Sequence, residues 1–495
     1  MMIVLKRLLF IALAAAMLLP VLACGADSGK SGETTAPDKT PDGAAAETTE
    51  AVTEPPYEFL KNPEDFGGRE FKVLNGAYTK GDYIDLDDSV KRGDVIVEAV
   101  YERNSKTEEL LNVKITSTNT EDWTAIGADI QKIVMAGDGD YSAVFGSIEK
   151  VSGTLDKHYL IDMNTVETMD MTHPWWDKEV IDIFGFGTGK AFMACGEINF
   201  WDDLSTVCLY FNKSLMDANN IPYPYDAVRD NQWTCDAFKV LVTNAYLDLN
   251  GNGETDENDQ YGYVCTASHA FNMMVGFDTL TVVPDSEGKY EFILDEEYFV
   301  KFARAINDFC NTDATVVKER KFGYDLGGQI FSFGNTYFDY SMIGSCLSYR
   351  ALEFDIGVVP FPKFDENQEK YHGVCNTMYA NVYGIPAGAD AEFAGTVLET
   401  MSWFAMPQLK EAVIDTSVLI KGVRDQDSYD MFHIIFDSKT YDLIYNFNWG
   451  GFYGKTCDMV ISGKDKLAST YASVKKATDK EMAKFIEAVQ TGAAG

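Results

Sequence analysis

The residue types best able to do chemistry lie between Asp248 and Asp259, in Asp248-Leu-Asn250-Gly-Asn252-Gly253-Glu254-Thr-Asp256-Glu-Asn-Asp259. Oxygen-bearing side chains recur on alternate positions, and Gly253 stands where the chain must turn sharply. Calcium is held when roughly six to eight hard oxygen ligands converge, and this spacing follows the calcium-loop template. Asp248, Asn250 and Asn252 would offer side-chain oxygens, Glu254 its carbonyl, and Asp256 a ligand through water. Asp259 would close the loop. The template closes on Glu, so the shorter arm of Asp259 predicts a weaker grip. The flanks read as a helix before the loop and a strand, Tyr261-Gly-Tyr-Val, after it. A structural Ca2+ site is the expectation, with an acidic turn that binds nothing as the competing reading.

Other patterns do not reach a mechanism. Phe184–Lys190, FGFGTGK, resembles a phosphate loop but has Phe where the first Gly is needed and Ala191 in place of Ser or Thr. Ser147-Ile-Glu-Lys150 and Ser473-Val-Lys-Lys476 match S-x-x-K without the elements that accompany it in an acyl-transfer enzyme. The five histidines are isolated, and the nine cysteines are spread singly with no C-x-x-C pair, so no zinc or redox spacing is visible. Free buried thiols are expected. Asp202 and Asp203, beside Trp201, could be imagined as the carboxylate pair of a glycoside hydrolase. With 77 acidic residues in the chain, such a pairing is cheap to propose.

The totals bound the answer. A chain of 495 residues exceeds what one core usually supports, so two lobes are expected. A net charge of −36 with no basic stripe disfavours nucleic acid. Lys6-Arg7, an apolar run Leu8–Leu22 and then Ala23-Cys24 read as a signal peptide over residues 1–23. Residues 25–56 contain no Leu, Ile, Met or Phe and cannot build a core, so 24–56 reads as a tether.

The elements follow by period and punctuation. Glu70–Gly76, Val113–Thr116 and Tyr141–Phe145 read as strands. They alternate with helices over Asp94–Leu111 and Trp123–Ala136, which implies a parallel, doubly wound α/β sheet. Ligands of such sheets sit beyond the carboxyl ends of the strands, here Asn75–Tyr78 and Gly146-Ser147. His173-Pro-Trp175-Trp176 either lines a cleft or packs on the lobe. The stretch Lys190–Lys213 contains two apolar runs, Ala191–Cys195 and Thr206–Phe211, around Glu197, Asn199, Trp201, Asp202 and Asp203. It reads either as a hairpin or as the crossover between two lobes, and Gly334–Ser345 reads as the crossover back. Tyr445–Gly454, YNFNWGGFYG, is an aromatic cluster broken by glycines, which suits either core filling or stacking on a ligand.

After the first crossover, Tyr210, Asn212, Lys213, Ile221, Pro222, Trp233 and Phe238 form a strand–NK–helix–Pro–Trp–helix order. DIGVVPFPKF at Asp355–Phe364 and YGIPAGADAEFAG within Tyr383–Ala405 follow. This order resembles bacterial extracellular solute-binding proteins, family 1, of the sugar-binding type that serves ABC importers. The resemblance runs from about Phe71 to the last residues. It implies a periplasmic-binding-protein type II-like fold, with a first α/β lobe over 57–195 and 345–410 and a second over 196–344 and 411–495. The segment around Cys24 resembles a lipobox, so Cys24 would carry the lipid anchor on the extracytoplasmic face of the membrane. A carbohydrate would lie between the lobes and pass from a monomeric receptor to a permease, unaltered. Asn75, Tyr78, Ser147, Glu197, Asn199, Asp202 and Ser345 would meet its hydroxyls, and Trp201, Trp449 and Tyr453 would stack on its rings. Where the family carries an aromatic near Ser345, this chain has Cys346-Leu347.

Overall fold

The computed structural model describes residues 63–78 and 95–492, with Leu60 and Ile84 besides, and without 138, 279, 407, 410, 421–424 and 465. Cys24, the signal peptide and the tether lie outside the described residues.

The first sheet is built from β1 (Arg69–Gly76), β2 (Val113–Asn119) and β3 (Ala143–Ser147). β1 lies between the other two and runs parallel to both. Helices Val95–Leu111 and Ile126–Ala136 supply the crossovers, as the alternation of periods requires. The second helix ends on Gly137, whose φ of 66° is the left-handed turn that stops a helix. Alternate residues of β1 go to opposite faces. Phe71 and Val73 join one apolar cluster with Phe145 and Tyr383, and Leu74 joins another with Val144 and Ile148. That second cluster is continuous into the other half of the chain, reaching Leu209 and Phe338.

The second sheet holds β4 (Val207–Asn212) and β5 (Tyr261–Cys265). After a hairpin of β6 (Val282–Pro284) and β7 (Tyr290–Phe292) come β8 (Thr315–Val317), β9 (Thr336–Met342) and β10 (Ile356–Val359). The spatial order is β10-β4-β9-β5-β8, with β4 antiparallel to both neighbours. A two-residue pair follows from β11 (Gly373–Val374) and β13 (Lys439–Thr440), while β12 (Asn381–Gly384) returns to the first sheet antiparallel to β3. The architecture is thus two separate α/β sheets joined by chain that crosses between them.

Two expectations are corrected and one open alternative is decided. Residues Ala191–Cys195 form no strand; only Ala194 bridges, to Tyr383 beside β12. Gly334–Ser345 is not the return crossover, because β9 leads through a short turn into β10, still in the second sheet. The return runs between β10 and β12, so residues 345–359 belong with the second sheet and not with the first lobe. The apolar run Ile356–Val359 pairs with β4 before the chain can leave. Trp175 and Trp176 pack into the first lobe, both indole N–H groups donating to the buried Glu399 at 3.2 and 3.0 Å. No helix among the described residues is long and apolar enough to cross a membrane.

The crossover starts at Gly196, which has φ 136° and bridges Trp176. A Cβ there would lie 2.1 Å from the Trp175 carbonyl oxygen. Gly196→Ala is therefore expected to cost roughly 2–4 kcal/mol through backbone displacement. A urea-unfolding midpoint equal to wild type would show that the crossover has room this geometry denies.

Candidate functional site

Beyond the carboxyl ends of β1 and β2 lies a depression of about 190 Å³, lined by Asn75, Tyr78, Asn119 and Trp123 among others. Local chemistry places each side chain. The Asn75 carboxamide oxygen accepts the Ala77 amide at 3.0 Å and turns the chain out of β1. The Asp122 carboxylate accepts the Thr124 amide at 2.8 Å and fixes the turn that presents Trp123. Tyr78, 40% exposed, meets Trp123 edge-on at 5.1 Å and Tyr379 at 4.7 Å. The Lys150 ammonium, ion-paired with Glu149, lies 5.3 Å from the Trp123 ring centre. Burial and the neighbouring Tyr78 push the Tyr379 hydroxyl up to about 12, so it remains a neutral donor at any physiological pH.

A second set of tyrosines comes from the other sheet. Tyr324, 61% exposed, follows β8. Its hydroxyl is raised by desolvation and by Glu319, and it interacts electrostatically with Tyr340 of β9 and with Tyr379. Tyr453 packs edge-on against Phe271 at 5.5 Å and Tyr445 at 5.1 Å, and interacts with Tyr340 and Tyr324.

The residues expected to line the cleft divide. Asn75 and Tyr78 stand at this groove, whereas Tyr453 packs on Phe271 and Tyr445 and does not line it. Ser345, half-buried in a turn after β9, has its hydroxyl 2.6 Å from that of Ser341. Trp201 opens a one-turn helix, Trp201–Leu204, half-buried against Phe200. Glu197 lines a different depression, of about 180 Å³, with Trp176 and Lys439. Four of the expected residues are buried and engaged within the protein. Ser147 is fully buried and spends its hydroxyl capping the helix Ile148–Ser152. Asn199 is buried, its oxygen accepting the Trp201 amide at 3.1 Å and its nitrogen donating to the Asn381 carbonyl at 3.3 Å. Asp202 is buried in an ion pair. Trp449 is 6% exposed and stacks on Phe447 at 4.5 Å under the helix Leu467–Thr491, where Thr478 donates to its carbonyl. Trp123, Tyr379 and Tyr324 were not foreseen. Trp123 follows β2 by the same strand-end rule that selected Asn75 and Tyr78, and could have been found by it.

The Asp202 ion pair belongs to a network at the crossover. The Lys439 ammonium sits 2.9 Å from Asp177, 3.1 Å from Asp202 and 2.8 Å from Asp203. The Tyr441 hydroxyl also donates to Asp177, at 3.1 Å. Burial pushes the Asp202 carboxyl up to about 7 against the pull of Lys439. Burial also opposes ionisation of Asp177, but Lys439, the Val180 amide and Tyr441 more than offset it and leave that carboxyl low. With Asp202 and Asp203 both held by one lysine, neither is placed as a hydrolase pair.

The loop Asp248–Asp259 is closed at its base by a bridge between Leu247 and Gln260. Asp248 accepts the amides of Gly251 at 2.7 Å and Gly253 at 2.8 Å. The side-chain amides of Asn250 and Asn252 both donate to Asp256, at 3.0 and 2.8 Å, so the alternate side chains do converge. Asp259 is fully buried, with one oxygen accepting the Asp256 amide and the Tyr246 hydroxyl. Its other oxygen is buried without a hydrogen-bond partner. A hard-oxygen donor set with one orphaned carboxylate oxygen fits a Ca2+ ion.

No family model matches the sequence, and no curated protein matches it. Solved structures match by shape. The ABC substrate-binding protein Lmo0181 from Listeria monocytogenes, solved with cycloalternan, aligns at TM-score 0.56 and 12% identity over 84% of this chain and 99% of its own. The GacH receptor of Streptomyces glaucescens aligns at TM-score 0.57 and 12% identity, over 85% of this chain and 99% of its own. The maltose/maltodextrin-binding domain MalE from Bdellovibrio bacteriovorus, bound to maltotriose, aligns at 0.51 and 13%, over 86% and 98%. The class is therefore plain: a two-lobed α/β fold. More narrowly, it is the type II periplasmic-binding-protein fold that these structures share.

Glu179, next to the lysine network, is pushed up to about 7 by burial and then by the charge of Asp177. Its ordinary value is 4.5. The folded chain keeps a proton that the unfolded chain releases, so this contribution is full below the unfolded value and is lost as pH rises towards 7. Glu179→Gln should flatten that slope. Between about pH 5 and about pH 8, wild type is expected to lose on the order of 2 kcal/mol more stability than the variant in denaturant titrations. Parallel curves would place Glu179 in a more solvated setting.

Proposed function

We propose that this chain is an extracytoplasmic substrate-binding lipoprotein of an ABC importer, which binds a neutral oligosaccharide and passes it unaltered to a membrane permease. The observation that carries the reading is the aromatic groove of Tyr78, Trp123 and Tyr379 at the strand ends of a binding-protein fold. Sugar rings pack their C–H faces on such rings, and Asn75 and Asn119 stand beside them for hydroxyls. Lmo0181 is solved with cycloalternan and MalE with maltotriose, which supports the substrate class. The net charge of −36 argues against an acidic glycan. A ligand touching both sheets would favour the closed arrangement over the open one. Cys24 would carry the acyl anchor and residues 25–56 the tether. The monomer would bind without turnover, which oligosaccharide incubation followed by product analysis checks.

Calorimetry against gluco-oligosaccharides tests the binding. One should bind, and Trp123→Ala should weaken it about tenfold, the effect of losing roughly 1.4 kcal/mol of stacking. No heat from any oligosaccharide, or an unchanged affinity in Trp123→Ala, overturns the assignment of this groove.

We also propose that Ca2+ occupies the loop Asp248–Asp259, with side-chain oxygens of Asp248, Asn250, Asn252, Asp256 and Asp259 and the carbonyl of Glu254 as ligands. The ion would pin a long loop next to β5 and take no part in solute chemistry. Chelation is expected to lower the melting temperature of wild type and to leave that of Asp248→Ala unchanged. Equal melting with and without chelator in wild type refutes the ion.

A further inference from the structure

Three side chains that are far apart in the sequence, or offset across a turn, meet inside the second lobe. Cys265 ends β5, His269 opens the helix His269–Gly276, and Cys310 ends the helix Glu296–Cys310. One ligand atom from each lies within 4.8 Å of the other two. The Cys310 sulfur is 3.9 Å from His269 Nδ1. All three residues are 0% exposed. Tyr263, two residues before Cys265, shares its face of β5. Its hydroxyl is buried without a hydrogen-bond partner and interacts with both thiols. The far nitrogen of His269, Nε2, is likewise buried without a partner. A buried polar atom left unmatched costs about 1–3 kcal/mol, so the unpartnered Tyr263 hydroxyl beside the two thiols calls for an occupant.

The donor set says what the occupant is. Two thiols and an imidazole are soft to borderline ligands and select zinc-class cations over Ca2+ or Mg2+. In a tetrahedral site with Zn–S near 2.3 Å and Zn–N near 2.0 Å, sulfur and nitrogen stand about 3.6 Å apart. The observed 3.9 Å needs only a small side-chain rotation to reach that. We propose that Cys265, His269 and Cys310 bind one Zn2+ in the core of the second lobe, with the Tyr263 hydroxyl as the adjoining oxygen donor. On binding, two S–H bonds break, two Zn–S bonds form and two protons leave to solvent. Two thiolates then cancel the charge of the ion, which suits a site walled by Phe309 and Tyr340. The ion ties β5 to two helices that the sequence separates by a long segment.

The test uses the full chain. Protein isolated without chelator should hold one zinc per chain by mass spectrometry. Metal-stripped protein refolded anaerobically with Co2+ should show thiolate-to-cobalt charge-transfer absorption. Cys310→Ala should lose that band, and Cys346→Ala, a buried thiol elsewhere in the lobe, should keep it. If Cys310→Ala does not fold, His269→Gln, which leaves both thiols, takes its place and should weaken cobalt binding at least tenfold. Absence of zinc together with absence of the cobalt band overturns the site, as does a Cys265–Cys310 disulfide in the intact mass. The readouts are blind to Ca2+ and to sugar, so the outcome is independent of the preceding assignments.

Discussion

One ammonium group holds the junction of this molecule together. Lys439 reaches Asp177, which caps a helix of the first lobe, and Asp202 and Asp203, which lie on the crossover. The backbone around it is equally bound: Cys375 donates to Thr440, and Asn376 donates to Ser205. Buried ion pairs seldom add net stability over an apolar replacement, because desolvation consumes most of the attraction. Removing one partner is another matter, since it strands charge in the interior. What such a network supplies is geometry, with three chain segments held at one point. Among the described residues the two sheets share no hydrogen-bonded strands, so their relative placement draws on this point, on the apolar cluster that runs between them and on the last helix, Leu467–Thr491.

Around that junction the polar and aromatic groups are sorted by exposure. The crossover carboxylates turn inward to Lys439, and the crossover asparagine turns inward to backbone groups. Among the rings left accessible or half-accessible are those at the strand ends, Tyr78 and Trp123 on one side and Tyr324 on the other. The groove joins tyrosyl and carboxamide groups to the carboxylates of Glu121 and Asp122, and Lys150 is paired to Glu149, so among the described residues it offers no unpaired cation to an anionic solute. Neutral, hydroxyl-rich solutes suit it, because they ask for many moderate hydrogen bonds and a flat apolar face.

Much of this was legible in the sequence, and the failures share a cause. β1, β2 and β3 and their intervening helices were visible because strand and helix periods alternate cleanly and Gly137 marks a stop. The turn-forming character of Asp248–Asp259 was visible because its oxygen-bearing side chains alternate with glycines within one short stretch. Ser147 was placed at a strand end correctly, yet the same position is the start of a helix, and the cap claimed its hydroxyl. Trp449 looked ligand-facing because glycines surround it, but those glycines let the chain press against Thr478. The return crossover was set too early because β10 is short and its pairing with β4 is not local. The meeting of Cys265, His269 and Cys310 was invisible for the same reason: spacing rules read neighbours in sequence, whereas the sheet and two helices make neighbours in space.

The helix Leu467–Thr491 fastens at both ends. Near its start the Tyr471 hydroxyl donates to the Leu294 carbonyl, beside β7. Near its finish the Ala488 carbonyl meets His158, and Gln490 donates to the Phe186 carbonyl, both on the side of the first sheet. Twenty-five residues make a rod about 37 Å long. A rod anchored so behaves as a splint of fixed length across the back of the molecule. Any rearrangement that keeps both ends seated must preserve that span.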